Sequence, residues 1–326
     1  MICLDNNLEK LNIEKPVVVT LGKFDGLHKG HQSLIKRTVE LAREMNCEPC
    51  AFIMDRSEKR LLTEDERLKI LEKLGIRRII ELPLTPEFMS QEPEVFIQDI
   101  LMDKLHAKAV IVGENYRFGC MRKGNASLLK KEGIKRDFLC EALPMISDQG
   151  EKISSTAVRK HLSQGKMKRV IEELGYAYTI SGEIVHGHQL GRKMETPTTN
   201  IIPHKVKLLP PKGVYASLVK VEDHCYKGMT NIGVKPTVDG SELGVETYLF
   251  DCHEDLYGKE ERVYLFHHTR PEQKFNSIEE LSGQLMKDKE EVSAFFSNLI
   301  GNKNEELSGN PAALEYRNIL DGQSLL

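Results

Sequence analysis

Residues 17–31 read VVVTLGKFDGLHKGH, and this stretch decides the class of the N-terminal fold. Val17 to Leu21 form a continuous run without a charged residue, which is typical of a β-strand buried on both faces. A glycine-bearing turn follows, and apolar residues between Leu34 and Met45 then recur at helical spacing. The stretch therefore predicts a buried strand, a tight turn and an amphipathic helix in direct succession.

Strands and helices alternate through the rest of the first half. In chain order the pattern predicts a strand at Cys50–Met54, a helix beginning at the Thr63/Glu66 capping box, a strand led by Ile79 and Ile80, a helix at Val95–Leu105 and a strand at Ala109–Gly113. Strands separated by helices are typical of βαβ units, in which helices cover both faces of a parallel sheet. The first half is thus predicted to be a Rossmann-like α/β domain.

The pattern changes near Tyr178, where strand-like runs follow one another without helices between them. These runs lie at 182–186, 213–219, 245–249 and 262–266, and Gly, Pro and Asp turns separate them. They predict a small antiparallel β-barrel. A capping box at Ser277 and Glu280 begins a terminal helix. We therefore expect an α/β domain at 1–177, a β-barrel domain with a terminal helix at 178–300, and a tail at 301–326 to which no function is assigned.

Composition limits the classes of partner. The 326 residues include 46 Lys+Arg and 49 Asp+Glu, so the net charge is −3 and no basic excess indicates a nucleic-acid partner. No apolar run is long enough to cross a bilayer, and the first residues lack a signal-peptide pattern, so we expect a cytoplasmic protein with no membrane partner. The seven cysteines do not form a disulfide framework pattern. The sequence does not give the oligomeric state.

The turn after the first strand has the features of a phosphate site. Glycines at 26 and 30 let a ligand approach the backbone, and the free amides at the start of the next helix favour an anion. His28 and His31 can place two imidazole N–H groups beside the same phosphoryl oxygens. An isolated H-x-G-H is more often a glycine turn with two surface histidines. Its position between a buried strand and an amphipathic helix favours the functional interpretation.

A second anion site is predicted in Ile153-Ser154-Ser155-Thr156-Ala157-Val158-Arg159. Three hydroxyls stand at a helix start, and Arg159 lies one turn after Ser155. Taken alone, a capped helix without a ligand would be the simpler interpretation.

Together with Gly113-Glu114-Asn115-Tyr116-Arg117-Phe118-Gly119, these two motifs resemble the nucleotidyltransferase half of bacterial FAD synthetases. The resemblance implies that His28 and His31 assist transfer of AMP from ATP to FMN. It further implies two sets of binding residues. ATP would be bound by Gly22, Phe24, Gly30, Ser154, Ser155, Thr156 and Arg159, and the flavin by Asn115 and Arg117.

Residues 182–201, GEIVHGHQLGRKMETPTTNI, resemble the riboflavin kinase signature. In this resemblance Gly187, Gly191 and Arg192 bind ATP, while Thr198 and Asn200 bind Mg²⁺. A hydroxyl and a side-chain carbonyl are hard oxygen ligands, which suit a Mg²⁺ ion that ATP phosphates also hold.

Two further residues take roles from the same resemblance. Glu246 corresponds to the general base, which accepts the proton of the ribityl hydroxyl as it attacks the γ-phosphorus. Arg270, in a matching Arg-Pro-Glu segment, would bind the flavin. The alternative for Glu246 is an outward-facing glutamate on an alternating strand.

The resemblance covers roughly residues 15 to 300, in the order of the bifunctional riboflavin kinase/FMN adenylyltransferase family. It implies an enzyme that converts riboflavin to FMN and FMN to FAD, with Mg²⁺ and ATP in both steps. Two departures are present: Asp55-Arg56-Ser57 replaces a Phe-x-Pro-His-Pro-like segment, and Glu195 lies where Gly is usual. The alternatives are a kinase with a weak or altered N-terminal nucleotidyltransferase, and a flavin-binding module without turnover.

Overall fold

The computed structural model describes residues 3–7, 11, 13–55, 57–82, 84–186, 198–237, 240–301 and 310–326. Contacts between Cα atoms divide the chain into two compact units, Met1–Ser155 and Thr156–Leu326. The strand pattern had placed the domain boundary at Tyr178. The helix at Met167–Leu174, which precedes Tyr178, packs against strands and the last helix of the second unit.

The first unit is a parallel sheet flanked by helices, as predicted. Its strands are β1 (Cys3–Asp5), β2 (Val17–Gly22), β3 (Glu48–Ile53), β4 (Arg78–Glu81), β5 (Ala109–Gly113), β6 (Arg117–Phe118), β7 (Gly124–Asn125), β8 (Leu139–Leu143), β9 (Ser147–Asp148) and β10 (Glu151–Lys152). The main sheet has the order β1-β4-β3-β2-β5-β8, and every neighbouring pair is parallel. The two short pairs β6/β7 and β9/β10 are antiparallel.

The helices of this unit cover the sheet. They are α1 (Lys29–Glu44), α2 (Glu64–Lys73), α3 (Pro86–Ser90), α4 (Pro93–Val95), a π-helix (Phe96–Lys104), a 3₁₀ turn (Cys120–Arg122) and α5 (Ala126–Arg136). The capping box predicted at Thr63 and Glu66 is present at the start of α2. The predicted helix at 95–105 is π-helical over most of its length and buries Phe96, Ile97, Ile100 and Leu101.

The second unit contains an antiparallel sheet that curls into a small barrel. Its elements are α6 (Ser155–Ser163, whose first residue belongs to the first unit), α7 (Met167–Leu174), β11 (Tyr178–Glu183), β12 (Thr198–Ile201), β13 (Gly213–Val221), β14 (His224–Thr237), β15 (Gly240–Leu249), β16 (Glu260–Pro271), α8 (Ile278–Gly301) and α9 (Pro311–Leu320). The strand order is β11-β16-β13-β14-β15-β12. The Val185 N–H donates to the Asn200 carbonyl at 2.8 Å, so the two edges of the sheet approach each other. The predicted barrel with a terminal helix is confirmed.

The interior of this barrel contains a row of buried hydroxyls. Ser217 Oγ lies 2.7 Å from Thr230 Oγ1, which lies 2.9 Å from Thr247 Oγ1. Glu261 on β16 is only 1% exposed. Burial raises the pKa of its carboxyl group to about 7, and the Thr199 hydroxyl opposes part of this shift. The folded state therefore favours the neutral form of the Glu261 carboxyl group.

Across the described parts of both units, no helix is long and apolar enough to cross a membrane.

Candidate active sites

The first unit has a pocket of about 520 Å³ at the carboxyl end of its parallel sheet. The chain moves from β2 outward to β3 and β4 and then returns to β5 on the other side, so the sheet reverses its direction of growth between β2 and β5. Ligands of open α/β sheets bind at such a reversal point. Eight of the predicted site residues line this pocket: Gly22, His28, Gly30, His31, Asn115, Arg117, Ser154 and Ser155.

The two histidines stack against each other at the start of α1. Their ring centroids are 3.8 Å apart, and His28 Nδ1 accepts a hydrogen bond from the His31 backbone N–H at 3.4 Å. Desolvation lowers the pKa of His28 to about 4 and that of His31 well below its usual value, with the neighbouring His28 charge contributing to the second shift. Both imidazoles are therefore neutral near pH 7. Because Nδ1 of His28 accepts, its proton is on Nε2, which can donate to a ligand.

Close packing around the turn holds these rings in place. A Cβ atom at Gly30 would lie 3.1 Å from the His28 ring, so a larger residue would press on that imidazole. Phe24 has φ 51° and is fully buried, with its ring centroid 5.2 Å from that of His31. Phe24 thus packs against His31 and does not line the pocket, whose wall here is formed by Gly22 and Gly30.

The serines of the second predicted anion site also reach the pocket. Ser154 and Ser155 line it, and the Ser155 hydroxyl donates to the Asp25 carbonyl at 2.7 Å. This bond ties Ser155 to the turn after β2 and uses its only hydroxyl proton. Thr156 and Arg159 belong to the second compact unit, and their predicted role with ATP stays a prediction.

A wall of aromatic rings lines the other part of the pocket. The Tyr116 and Phe118 rings stack with centroids 5.7 Å apart, Phe96 lies 5.5 Å from Phe118, and Phe88 lies 6.0 Å from Phe96. Such a wall suits a flat conjugated ring system. Asn115 and Arg117 flank it in sequence. The sequence analysis assigned no role to Phe88 or Phe96.

The departure at Asp55 forms an ion-pair cluster. Asp55 Oδ1 accepts hydrogen bonds from the backbone N–H and the hydroxyl of Ser57, and Asp55 Oδ2 lies 3.3 Å from Arg60 Nε. Arg60 also lies 3.6 Å from Glu81 at the end of β4. The carboxylate of Asp55 is thus engaged by Arg60. Arg56 lies outside the described residues.

The predicted kinase residues come together on neighbouring strands of the second unit. Asn200 on β12 and Asn231 on β14 both lie opposite Glu246 on β15, one on each side. Residues directly opposite each other in an antiparallel pair project to the same face. Thr198, two residues before Asn200, shares that face, and its hydroxyl donates to Glu246 Oε1 at 2.9 Å. Asn231 received no role from the sequence.

The donors on this face fit a magnesium ion that arrives with a nucleotide. Thr198 and Asn200 offer neutral oxygens beside the Glu246 carboxylate. No group of three or more His, Cys, Asp or Glu side chains within the described ranges could hold a metal by itself. Mg²⁺ commonly takes one or two protein ligands, with phosphate oxygens and water completing its shell. The predicted ATP residues Gly187, Gly191 and Arg192, and the Glu195 departure, lie outside the described residues.

Arg270 is engaged with a helix. Its Nη2 lies 2.7 Å and its Nε 2.9 Å from the two carboxylate oxygens of Asp288 on α8, and Asp288 is 1% exposed. Gln284 adds a hydrogen bond to the same carboxylate at 2.8 Å. This bidentate pair fixes the end of β16 to α8. The predicted contact of Arg270 with the flavin stays a prediction.

Comparisons with known proteins match the two halves separately and together. A FAD synthetase family model matches residues 10–157, and a riboflavin kinase family model matches residues 174–296. The bifunctional riboflavin kinase/FMN adenylyltransferase of Buchnera aphidicola subsp. Acyrthosiphon pisum is 34% identical over 90% of this chain and 96% of its own. The protein of the same name from Escherichia coli K12 is 34% identical over 86% of this chain and 92% of its own.

A solved structure has the same architecture. It comes from Streptococcus pneumoniae and is described as a macrolide-efflux protein. It superposes with a TM-score of 0.81 and 29% sequence identity, covering 89% of this chain and 98% of its own.

Proposed function

This chain belongs to the bifunctional riboflavin kinase/FMN adenylyltransferase family, and we propose that each of its two sites performs one of the two reactions. Its riboflavin kinase domain phosphorylates riboflavin to FMN, and its FAD synthetase domain adenylylates FMN to FAD. We assign the first reaction to the face that carries Thr198, Asn200 and Glu246. We assign the second to the pocket that contains His28 and His31. The activities thus divide between residues 1–177 and 178–300.

The hydrogen bond between Thr198 and Glu246 is the observation that best supports the kinase assignment. It orients the Glu246 carboxylate, which in this assignment accepts the proton of the ribityl hydroxyl. Thr198 and Asn200 would hold Mg²⁺, which neutralises charge on the ATP phosphates when it is bound. The Thr198 hydroxyl donates its hydrogen bond to Glu246. Its oxygen lone pairs can therefore bind a cation at the same time.

The two neutral imidazoles best support the adenylyltransferase assignment. In adenylyl transfer an oxygen of the FMN phosphate attacks the α-phosphorus of ATP, and the bond from this phosphorus to the β-phosphate oxygen breaks, so that pyrophosphate leaves. Negative charge develops on the oxygens of the α-phosphorus during this step. Nε2–H of His28 is a donor fixed before ATP arrives, because packing and the bond to the His31 amide already orient the ring. Preorganised donors of this kind stabilise developing negative charge. The backbone amides at the starts of α1 and α6 and the hydroxyl of Ser154 would donate hydrogen bonds to the remaining phosphates.

The flavin product profile tests both assignments in one assay. The protein is incubated with riboflavin, ATP and Mg²⁺, and the flavins are separated over time. We expect FMN to appear first and FAD to follow. FMN without FAD would instead support a kinase with an impaired N-terminal site, and flavin binding without any ATP consumption would support a module without turnover. A repeat with EDTA in place of Mg²⁺ tests the metal, and we expect both products to be lost.

A further inference from the structure

The lining of the N-terminal pocket carries a net positive charge. Three cationic residues line it, Lys23, Arg117 and Arg122, and its lining contains no Asp or Glu. The reaction proposed here brings a phosphate monoester against a polyphosphate, and their negative charges repel each other strongly at short range. Cations in the lining offset this repulsion. Within the described part of the chain, Arg117 donates a side-chain hydrogen bond to a backbone carbonyl, whereas neither Lys23 nor Arg122 has a side-chain hydrogen bond or an ion pair.

Arg122 is the cation with the most constrained backbone. Met121 and Arg122 both have positive φ angles, 51° and 59°, and Gly119, two residues before Met121, has φ 69°. Two consecutive residues with side chains in this region are uncommon, and such conformations concentrate at functional sites. The segment is anchored from both sides, because a Cβ atom at Gly119 would lie 2.7 Å from Pro93 and the Cys120 N–H donates to the Gln91 carbonyl at 2.7 Å. The backbone that carries Arg122 is therefore held at the rim of the pocket.

The guanidinium group of Arg122 makes no ion pair within the described residues. Its neighbour Lys123 pairs with Glu92 at 3.1 Å, and Arg117 donates to the Tyr116 carbonyl at 2.8 Å. Arg122 has no ion pair and no side-chain hydrogen bond with any residue in the described part of the chain. An exposed arginine in a pocket without carboxylates is a site for an anion that the protein does not supply.

We propose that Arg122 binds the 5′-phosphate of FMN and thereby makes this site prefer FMN over flavins without a phosphate. The proposal rests on the proposed adenylyltransferase function. Arg122 lies on the same anchored segment as Phe118, which belongs to the aromatic wall, whereas the histidines and the serines form the start of α1 and α6. The ring of FMN lies on the wall, its phosphate meets Arg122, and ATP lies along the two helix starts. A guanidinium can hold a phosphate through two parallel hydrogen bonds.

Steady-state kinetics of Arg122→Gln in the full chain test this. FMN and ATP are the substrates, and FAD is the measured product. We expect the KM for FMN to rise roughly 10- to 100-fold, because one charge-assisted hydrogen-bonded contact is lost. We expect kcat and the KM for ATP to stay within about twofold, and Arg122→Lys to restore part of the affinity. Lys123→Gln is the matched control, since Lys123 is the adjacent cation, is paired with Glu92 and is not part of the pocket lining.

Inhibition by lumiflavin separates phosphate binding from support of the wall. Lumiflavin has the flavin ring but neither a ribityl chain nor a phosphate, so neither site can convert it. Its inhibition constant against FMN should be the same in Arg122→Gln and in the unmodified protein. An equal rise for lumiflavin and FMN, a rise in the KM for ATP alone, or an unchanged KM for FMN would each overturn the proposal. A complete lack of FAD formation by the unmodified protein would overturn the adenylyltransferase assignment itself.

Discussion

The two proposed sites solve different chemical problems with different residues. The pocket of the first unit offers neutral imidazoles and cations, and no carboxylate lines it. The face of the second unit centres on the carboxylate of Glu246, with a hydroxyl bonded to it and an asparagine on each side. The nucleophiles explain this difference. A phosphate monoester is already ionised near pH 7, since its second pKa is about 6, so the first site needs no base. An alcohol must lose a proton, so the second site needs one.

We expect the largest effect from a substitution that inactivates the second site alone. Glu246→Gln keeps the size of the side chain and the acceptor for Thr198 but removes the base. We expect the rate of FMN formation from riboflavin to fall by about 10² to 10⁴. Adenylylation of supplied FMN should be unchanged. Glu260→Gln, an exposed position on β16, is the control and should leave both rates intact.

A comparable loss should occur in the first site when a histidine is removed. His31→Ala deletes one of the stacked imidazoles, and we expect FAD formation from FMN to fall by roughly 10² to 10³, because a contact to developing charge is lost. FMN formation from riboflavin should continue at its normal rate. His106→Asn provides the control, since His106 lies on the first unit outside the pocket lining and Asn accepts its positive φ of 47°. Loss of FMN formation in His31→Ala would contradict separate sites.

A smaller effect, on the free energy of unfolding, is expected at Glu261, the buried carboxylate of the second unit, in contrast to the proposed base Glu246. Glu261→Gln should stabilise the protein at pH 8 by up to about 3 kcal/mol and have little effect near pH 4. The raised pKa of about 7 means that the folded state favours the neutral acid, so the unmodified protein loses stability as the pH rises from the unfolded value near 4.5 through 7. Thermal unfolding of both proteins at pH 4.5 and pH 8 measures this. A Gln variant that is less stable at pH 8 would show that the ionised carboxylate is stabilised in the barrel.

The smallest effect concerns the protonation of His28. Because desolvation lowers its pKa to about 4, the folded protein should lose stability as the pH falls from about 6.5 towards 4, where the unfolded chain takes up a proton that folded His28 does not. An NMR titration of the histidine ring protons, assigned with a His28→Asn variant, should give a midpoint near pH 4. A midpoint at or above 6.5 would contradict a neutral donor at this position.

The sequence predicted the parts of the fold in which local pattern and burial agree. The apolar run at 17–21, the turn at His28 and the capping box at Thr63 are local signals, and each is present in the structure. The compact units divide after Ser155, whereas the strand pattern placed the boundary at Tyr178. One reason is that α7 packs against β16 and α9, which lie about 90 to 150 residues further along the chain. No local pattern reports a contact at that distance.

For the candidate sites too, local motifs could be read from the sequence, whereas contacts between distant segments could not. Motifs identified His28, His31, Thr198, Asn200 and Glu246, and the structure brings each group together. The aromatic wall combines rings from segments around 88, 96 and 116–118, so no single motif contains it. The sequence did not identify Arg122, because its proposed role depends on its place in the pocket lining and on its lack of side-chain partners within the described residues. It did not identify Glu261, because only the structure shows that this strand glutamate is buried.

The ratio of the two reaction rates tests the claim of two independent sites most directly. FMN formation from riboflavin and FAD formation from FMN are measured side by side on the unmodified protein, Glu246→Gln and His31→Ala. The account predicts that the ratio of FAD-forming to FMN-forming rate rises by at least about 10² in Glu246→Gln and falls by a similar factor in His31→Ala. If both rates fell together in either variant while its thermal unfolding stayed unchanged, the two chemistries would not be divided between these sites.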